Sequence, residues 1–444
     1  MADIPPYYGG ISAIVPLNRQ EPDMRDPDAL IHRHLASTVT ERLAESPVVV
    51  LTGIRTVGKS TLLHACARTR GVAVTDLDDL ATLDHVRADP SAYIAGRTEP
   101  VCIDEFQHLP DLLYAIKAEL NTDFRFGRFL LTGSTRYTML PRAAQALTGR
   151  AHIMNIWPLS QGELLGRRES FIDTMLLDAK ALGAAPDAGT TRERYSEAIL
   201  AGGMPIGLAA ANDRARGRYF DDLIDLIVLR DVMDIRRVRQ RGVLQSLTRH
   251  LAARTGQILN VADIANSMGH DARTLHDYVQ LLESVFLVHR LEAYGRTLGS
   301  RLSRSPKVHF VDSGLAAHLL GVTRRKLELR KPTTMSEFGH LVETFAVNEI
   351  LKQAGWAETS VTFSHLRTHN QREVDLVIEA RDGTTAGVEV KAAGTVKDSD
   401  FDGLRLLRDR LGDDFTAGVV LNLGRRSYRY EDRMYVVAME RLWA

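Results

Sequence analysis

Residues 48–63 read VVVLTGIRTVGKSTLL, and this stretch decides the fold of the first third of the chain. Residues 48–51 form a continuous apolar, β-branched run of the kind that makes a strand buried on both faces. Residues 53–60 match G-x-x-x-x-G-K-[ST] at every fixed position, and a helical pattern opens at the lysine. The two glycines let the backbone curl until its N–H groups point at phosphate oxygens. Lys59 then reaches the β and γ phosphates, Ser60 holds Mg²⁺, and the helix N-terminus adds partial positive charge. Arg55, Thr56 and Val57 complete the loop and Thr61 follows it. The expected contacts to ATP are therefore Gly53, Arg55, Thr56, Val57, Gly58, Lys59, Ser60 and Thr61.

Outward from that loop, VCIDE at 101–105 and FLLTGS at 129–134 read as two more buried strands. Helical stretches at 60–68 and 109–120 lie between them, and such crossovers imply a parallel α/β sheet. A nucleotide loop needs a magnesium-side carboxylate at the end of a neighbouring strand. Asp104 fills that place, and Glu105 beside it is the natural base for a water molecule. Ser134 or Thr132, ending the third strand, is placed to sense the γ-phosphate, although both also suit an ordinary strand-ending turn. Arg150, in LTGR at 147–150, is a candidate arginine finger, for its own nucleotide or for that of a neighbouring copy in a homo-oligomer. The expected catalytic set is Lys59, Glu105, Ser134 and Arg150, with Ser60 and Asp104 on the nucleotide's metal.

At 444 residues the chain exceeds one ordinary core, so several domains are expected. Lys plus Arg and Asp plus Glu both number 56, which excludes a basic footprint over the whole chain. Cys66 and Cys102 make neither a disulfide framework nor a zinc site and fit a reducing compartment. The opening MADIPPYYGG does not read as a secretion signal, and no apolar run reaches the roughly 18–20 residues that span a bilayer. The expectation is a cytoplasmic protein with no membrane partner.

Five segments follow from texture. Residues 1–35 are a flexible lead-in, 36–165 the P-loop domain and 166–235 a helical lid and linker, in which 167–191 reads as a loop. Residues 236–325 are winged-helix-like and 326–444 α/β again. Within 260–294 a short helix, a turn at 269–271, an amphipathic helix and a β-rich run follow the winged helix-turn-helix pattern. Residues 236–307 carry twelve Lys plus Arg against five Asp plus Glu. Arg236, Arg237, Arg239, Arg241, Arg296, Arg301, Arg304 and Lys307 are expected phosphate contacts, and Arg273, Thr274, His276 and Asp277 groove contacts, to DNA. Winged helices also serve protein contacts, so an ATP-controlled switch acting on a protein partner stays open.

Near the C-terminus Asp375 lies in EVDLVI at 373–378, with Glu389 and Lys391 in VEVK at 388–391. Alternate strand residues share a face, so Glu389 and Lys391 point the same way. Paired acids bind a hard cation, yet the bare spacing also fits a solvated strand face with cross-strand pairing. The pattern resembles the restriction-endonuclease-like fold, in which two carboxylates hold Mg²⁺ beside a lysine; the resemblance implies a second metal site at Glu343, Asp375 and Glu389 with Lys391.

GIRTVGKSTLL, CIDEFQHLPDLL, FLLTGSTRYTML and LTGRAHIMNIWPLSQGEL together resemble a family of bacterial and archaeal AAA-type ATPases with a C-terminal domain of unknown function. The likeness continues through AGGMP (201–205), KVHFVDSGLAAHLLG (307–321), FGHLVETFAVNEIL (338–351), REVDLVIE (372–379) and GVEVK (387–391). It implies an ATPase domain, a helical and winged-helix middle and a nuclease-like end. Whether that end cleaves nucleic acid or only docks a partner does not follow.

Overall fold

The computed structural model describes residues 31–97, 99–135, 147, 149–184, 186–235, 240–295, 305–368, 370 and 372–444. Five parallel strands form the N-terminal sheet: β1 Val48–Thr52, β2 Val74–Asp76, β3 Val101–Asp104, β4 Phe129–Gly133 and β5 Ala151–Asn155. Their order is β2-β3-β4-β1-β5. Every residue of β1, β3 and β4 is buried. Each Val or Leu fully buried there stabilises the sheet by about 1.5–3 kcal/mol. Because all strands run the same way, the loop after β1 and the ends of β3 and β4 share one edge of the sheet.

In the middle of the chain, helix Arg192–Ala201 leads to helix Asp213–Leu226, which runs on without a break into a π-helical segment, Ile227–Asp231. Helix Arg241–Ala252 follows, then β6 Gln257–Ile258, helices Val261–Met268 and Ala272–Ser284, β7 Val288–Leu291 and β8 Lys307–Phe310. Asn260 and Asp271 accept the first-turn N–H groups of the two helices, and Gly269 at φ 67° ends the first of them. The strands form an antiparallel sheet in the order β6-β8-β7.

The C-terminal unit packs helix Pro332–Gln353 and helix Asp402–Leu411 on a six-stranded mixed sheet. Its strands are β9 Val361–Arg367, β10 Glu373–Ala380, β11 Thr385–Lys391, β12 Phe415–Asn422, β13 Tyr428–Glu431 and β14 Met434–Ala438. They lie in the order β13-β14-β12-β11-β10-β9. A register shift between Val374 and Val377 leaves Asp375 on a bulge, a device that re-aims a side chain. Backbone bonds join this sheet to the middle unit: Tyr294 N–H donates to His365 O at 2.6 Å and His365 N–H to Glu292 O at 2.9 Å.

Two expectations change. The stretch 167–191, expected as a loop, contains helices Phe171–Leu177 and Ala179–Ala184 packed on the C-terminal sheet. Its alanines favour helix, and Leu182 and Phe171 supply the buried anchors. The end of the expected lead-in is fixed rather than loose. His34 is buried, its backbone N–H donates to Glu163, and Leu35 opens helix Leu35–Glu45. Residues 1–30 lie outside the described residues.

The family-like motifs at 201–205 and 307–321 meet. Gly203 N–H donates to Asp312 at 2.6 Å, and a Cβ on Gly202 would sit 2.1 Å from the same carboxylate. Leu159, of the WPLS stretch, donates its N–H to Gly203 O at 2.8 Å. These glycines are needed for close approach, and through them the motifs join three segments.

Candidate nucleotide site

After β1 the chain makes three turns through positive φ, at Gly53 (155°), Thr56 (61°) and Gly58 (99°). A Cβ on Gly53 would lie 2.4 Å from Ile156 O, so only glycine fits there. Helix Lys59–Thr69 then starts with no side-chain cap, leaving its first N–H groups directed into the loop. Lys59 is 4% exposed, and its ammonium donates to Gly53 O and Ile54 O at 3.1 Å each. Burial lowers its pKa, with Glu105 and Asp104 opposing that fall and Arg55 adding to it. This is an anion cradle: curled N–H groups, a helix N-terminus and a buried cation converge.

Around it the strand ends form one network. Asp104 accepts a hydrogen bond from Thr132 Oγ1, and Glu105 accepts one from Gln107 Nε2. Gln107 Nε2 also donates to Ser134 Oγ at 3.1 Å. Glu105 sits at φ 52°, a left-handed conformation unusual for a residue with a side chain. Asp104, Glu105, Thr132 and Ser134 are all buried. The structure thus brings Lys59, Asp104, Glu105, Thr132 and Ser134 to one edge of the sheet, with Gln107 linking two of them.

Arg150 does not join that group. It precedes β5, whose first residue Ala151 is level with Val48 at the far end of β1. Roughly 16 Å of strand separate it from the phosphate loop, at about 3.3 Å per residue. Its guanidinium donates to Asn121 Oδ1 at 2.7 Å and Lys117 O at 3.3 Å. The expectation that Arg150 serves its own chain's nucleotide is therefore corrected, because the parallel register puts it at the wrong end.

The C-terminal acids also differ from expectation. Lys307 of β8, 1% exposed at its side chain, places its ammonium 2.7 Å from each of Glu343, Glu373 and Asp375. Asp375 further accepts Val390 N–H at 2.9 Å, while Glu389 pairs with Lys391 at 2.7 Å. Among the described residues no group of three or more His, Cys, Asp or Glu is arranged to hold a metal ion. Of the three carboxylates expected to hold a second metal ion, Glu343 and Asp375 thus pair with a lysine from the neighbouring unit and Glu389 pairs with Lys391. Lys307 is correspondingly withdrawn from the basic face, since its charge is spent on buried carboxylates.

Residues 45–165 match an AAA domain. Residues 192–326 and 338–442 match two further families, each described as a domain of unknown function (DUF8612 and DUF4143). An uncharacterised protein of Mycobacterium tuberculosis is 25% identical over 364 residues, covering 82% of this chain and 74% of that protein. Another of Haemophilus influenzae is 27% identical over 227 residues, covering 49% and 52%. Among solved structures, a Walker-type ATPase of Pyrococcus abyssi is 14% identical, covers 68% of this chain and 99% of that one, and gives a TM-score of 0.40.

The segment 45–165 is tied to the rest of the chain by residues the sequence did not single out. Arg33 donates to Val57 O at 3.0 Å, to Trp157 O at 2.6 Å and to Glu163 at 3.0 Å, bracing the phosphate loop from behind. Asp231 and Tyr219 contact the loop from the helical unit. Gln107 lies inside a quoted motif, two residues beyond Glu105, so its spacing was a usable signal. Asp231 is 176 residues from its partner Arg55, and no local pattern marks it.

On the expected DNA face, Arg236, Arg237, Arg239, Arg296, Arg301 and Arg304 lie outside the described residues. Arg241, Arg273 and His276 are exposed, and Thr274 and Asp277 are half-buried. Two other cations of the region are paired: Arg254 with Asp263 at 3.1 Å and Arg290 with Glu283 at 2.5 Å.

Proposed function

We propose that this chain binds and hydrolyses ATP with Mg²⁺, and that nucleotide state governs its contact with nucleic acid. The observation that carries the first half is the convergence of Lys59 and the uncapped helix N-terminus with the Asp104–Thr132 and Glu105–Gln107–Ser134 pairs. The donor set suits the metal: a serine hydroxyl and a buried carboxylate are hard oxygen ligands, and Mg²⁺ takes its remaining ligands from phosphate and water. In this reading Ser60 and Asp104 hold the ion, which neutralises charge building on the phosphates. Loop N–H groups from Arg55 to Thr61 and Lys59 bind those phosphates. Glu105, oriented by Gln107, accepts the proton of the attacking water, and Ser134 reports the γ-phosphate through the same glutamine.

Glu105→Gln is expected to keep ATP binding and to lose turnover by roughly 10²–10⁴-fold, the range of a general base. Equilibrium binding of a fluorescent ATP analogue beside steady-state phosphate release checks both halves. Turnover equal to the parent's would remove Glu105 from the role.

For the coupled activity we read residues 236–325 as a winged helix, supported by the order helix, strand, helix, turn, helix and two strands. Arg273, His276 and Gln280 lie on one exposed face of helix Ala272–Ser284. DNA is expected to stimulate hydrolysis, and its affinity to fall steeply with salt. Turnover indifferent to DNA would favour the alternative, a switch acting on a protein partner with the C-terminal unit as its docking module. Four units, 36–165, 166–235, 236–325 and 326–444, are proposed to divide these tasks, in a cytoplasmic setting. Arg150 fits only a finger reaching a neighbouring copy, which would make the active form a homo-oligomer.

A further inference from the structure

Arg55 occupies the third position of the phosphate loop and is not free. Its guanidinium grips Asp231 with both arms, Nε at 3.0 Å from Oδ2 and Nη2 at 3.0 Å from Oδ1. Asp231 is 5% exposed and ends the π-helical segment Ile227–Asp231, the continuation of helix Asp213–Leu226. One residue along the loop, Thr56 Oγ1 shares a hydrogen bond of 2.7 Å with Tyr219 OH of that same helix. Two consecutive loop residues are thus fastened to two points of one helical arm. That arm belongs to the segment matching the second family, 192–326.

Charge sharpens the picture. Arg55 is within electrostatic reach of Glu105 and Asp78 as well as Asp231, and Lys59 feels Glu105, Asp104, Arg55 and Asp231. Arg55 and Asp231 are thus both within electrostatic range of the buried lysine, the cation expected to hold a nucleotide's phosphates. A phosphate oxygen is a bidentate partner as good for arginine as a carboxylate. A π-helical turn inside a longer helix is a recurrent mark of functional sites.

We propose that Arg55 exchanges partners, held by Asp231 when the loop is empty or carries a diphosphate and turning to the γ-phosphate when a triphosphate binds. Asp231 is then a positioning residue that sets discrimination between triphosphate and diphosphate. The helical arm, losing its ion pair at Asp231, transmits that difference to the segment 192–326. The idea rests on the ATPase reading. Each triphosphate must break the Arg55–Asp231 pair, so its apparent affinity is reduced by the fraction of loops in which Arg55 is held.

The test is equilibrium binding of fluorescent ATP and ADP analogues to the full chain and to Asp231→Asn, Asp231→Glu, Tyr219→Phe and Arg55→Ala. Asp231→Asn is expected to tighten ATP binding by roughly 5–150-fold, the usual span of coupling between two states, with ADP unchanged. Arg55→Ala is expected to lose the ATP preference, and Asp231→Glu to restore the parental ratio. Because Asp231→Asn alters a buried pair, hydrogen exchange in the parent protein supplies an independent reading. Residues 213–231 should exchange faster with a non-hydrolysable ATP analogue than with ADP. Equal exchange in both states, or an ATP-to-ADP ratio unmoved by Asp231→Asn and Arg55→Ala, overturns the partner exchange and leaves the ATPase standing. No binding of either nucleotide to the parent overturns the ATPase reading itself.

Discussion

Lys307→Met is expected to destabilise the fold by about 3–5 kcal/mol, the cost of removing one partner from a buried charge cluster. The ammonium lies 2.7 Å from Glu343, Glu373 and Asp375, and no other described cation approaches all three. Burial alone would lower the Lys307 pKa, but Asp375, Glu343 and Glu373 outweigh it and hold it well above its ordinary value. Burial likewise pushes Asp375 up, yet Lys307 and the Val390 N–H more than offset it, so its carboxyl stays below its usual range. Burial and the Asp375 charge drive Glu343 the other way, up to about 8. The centre therefore holds one ammonium against an ionised aspartate and a glutamic acid that keeps its proton near neutrality.

The pH dependence follows from those directions. The Glu343 carboxyl ionises near 4.5 in the unfolded chain and about 8 in the fold, so the folded state binds the extra proton between those values. Its contribution is complete below the lower value and gone above the upper one. Lys307, also raised, contributes fully below 10.5 and loses that contribution only as pH climbs past its folded value. Asp375, depressed, contributes above 3.8 and loses it on acidification. Removal of Lys307 leaves acids that protonate cheaply in mild acid and not in alkali. Denaturant unfolding of Lys307→Met should therefore show a larger deficit at about pH 8.5 than at about pH 5. A deficit below about 0.5 kcal/mol, the range of ordinary surface substitutions, would mean that the lysine is not the cation of this cluster. The double variant Lys307→Met with Asp375→Leu should recover part of the loss, since both ends of the pair are then apolar.

This cluster also shows where the sequence stops being legible. The P-loop fold is readable because its determinants are local: an apolar strand, a glycine turn and a lysine that opens a helix lie within sixteen consecutive residues. Asp104, Glu105 and Ser134 follow from strand-end logic, and the parallel topology brings them to the loop without any distant contact being guessed. Strand β2 escaped notice because three residues give too short a period, and β5 because its mixed burial hides the alternation. The C-terminal acids were legible as residues, whereas the lysine they meet was not. Glu389 and Lys391 share a face as the alternation requires, but Asp375 and Glu343 are aimed at a lysine 68 and 36 positions upstream, delivered by another unit. Only the docking of β8 against that sheet reveals it. The Arg55–Asp231 pair is hidden for the same reason, because complementarity across 176 residues leaves no periodic trace.

Lys59→Ala is expected to cut hydrolysis sharply and to remove nucleotide-dependent stabilisation. The lysine is the cation of the cradle, and losing a single preorganised electrostatic contact of this kind lowers turnover by roughly 10²–10³-fold. It has a second task here: its ammonium satisfies Gly53 O and Ile54 O from inside the loop, so the alanine variant leaves two carbonyls without that donor. A fall in activity alone would not separate lost phosphate contact from a collapsed loop, whereas thermal unfolding does. In the parent, nucleotide at about one hundred times its Kd should raise stability by about 2.7 kcal/mol. Lys59→Ala should unfold close to the nucleotide-free parent and show no such rise. If it instead unfolds far below the parent, loop collapse is the cause, and Ser60→Ala with Glu105→Gln must carry the assignment. Turnover and stabilisation retained in Lys59→Ala would place nucleotide chemistry elsewhere in the chain, because Lys59 is the buried ammonium of this loop.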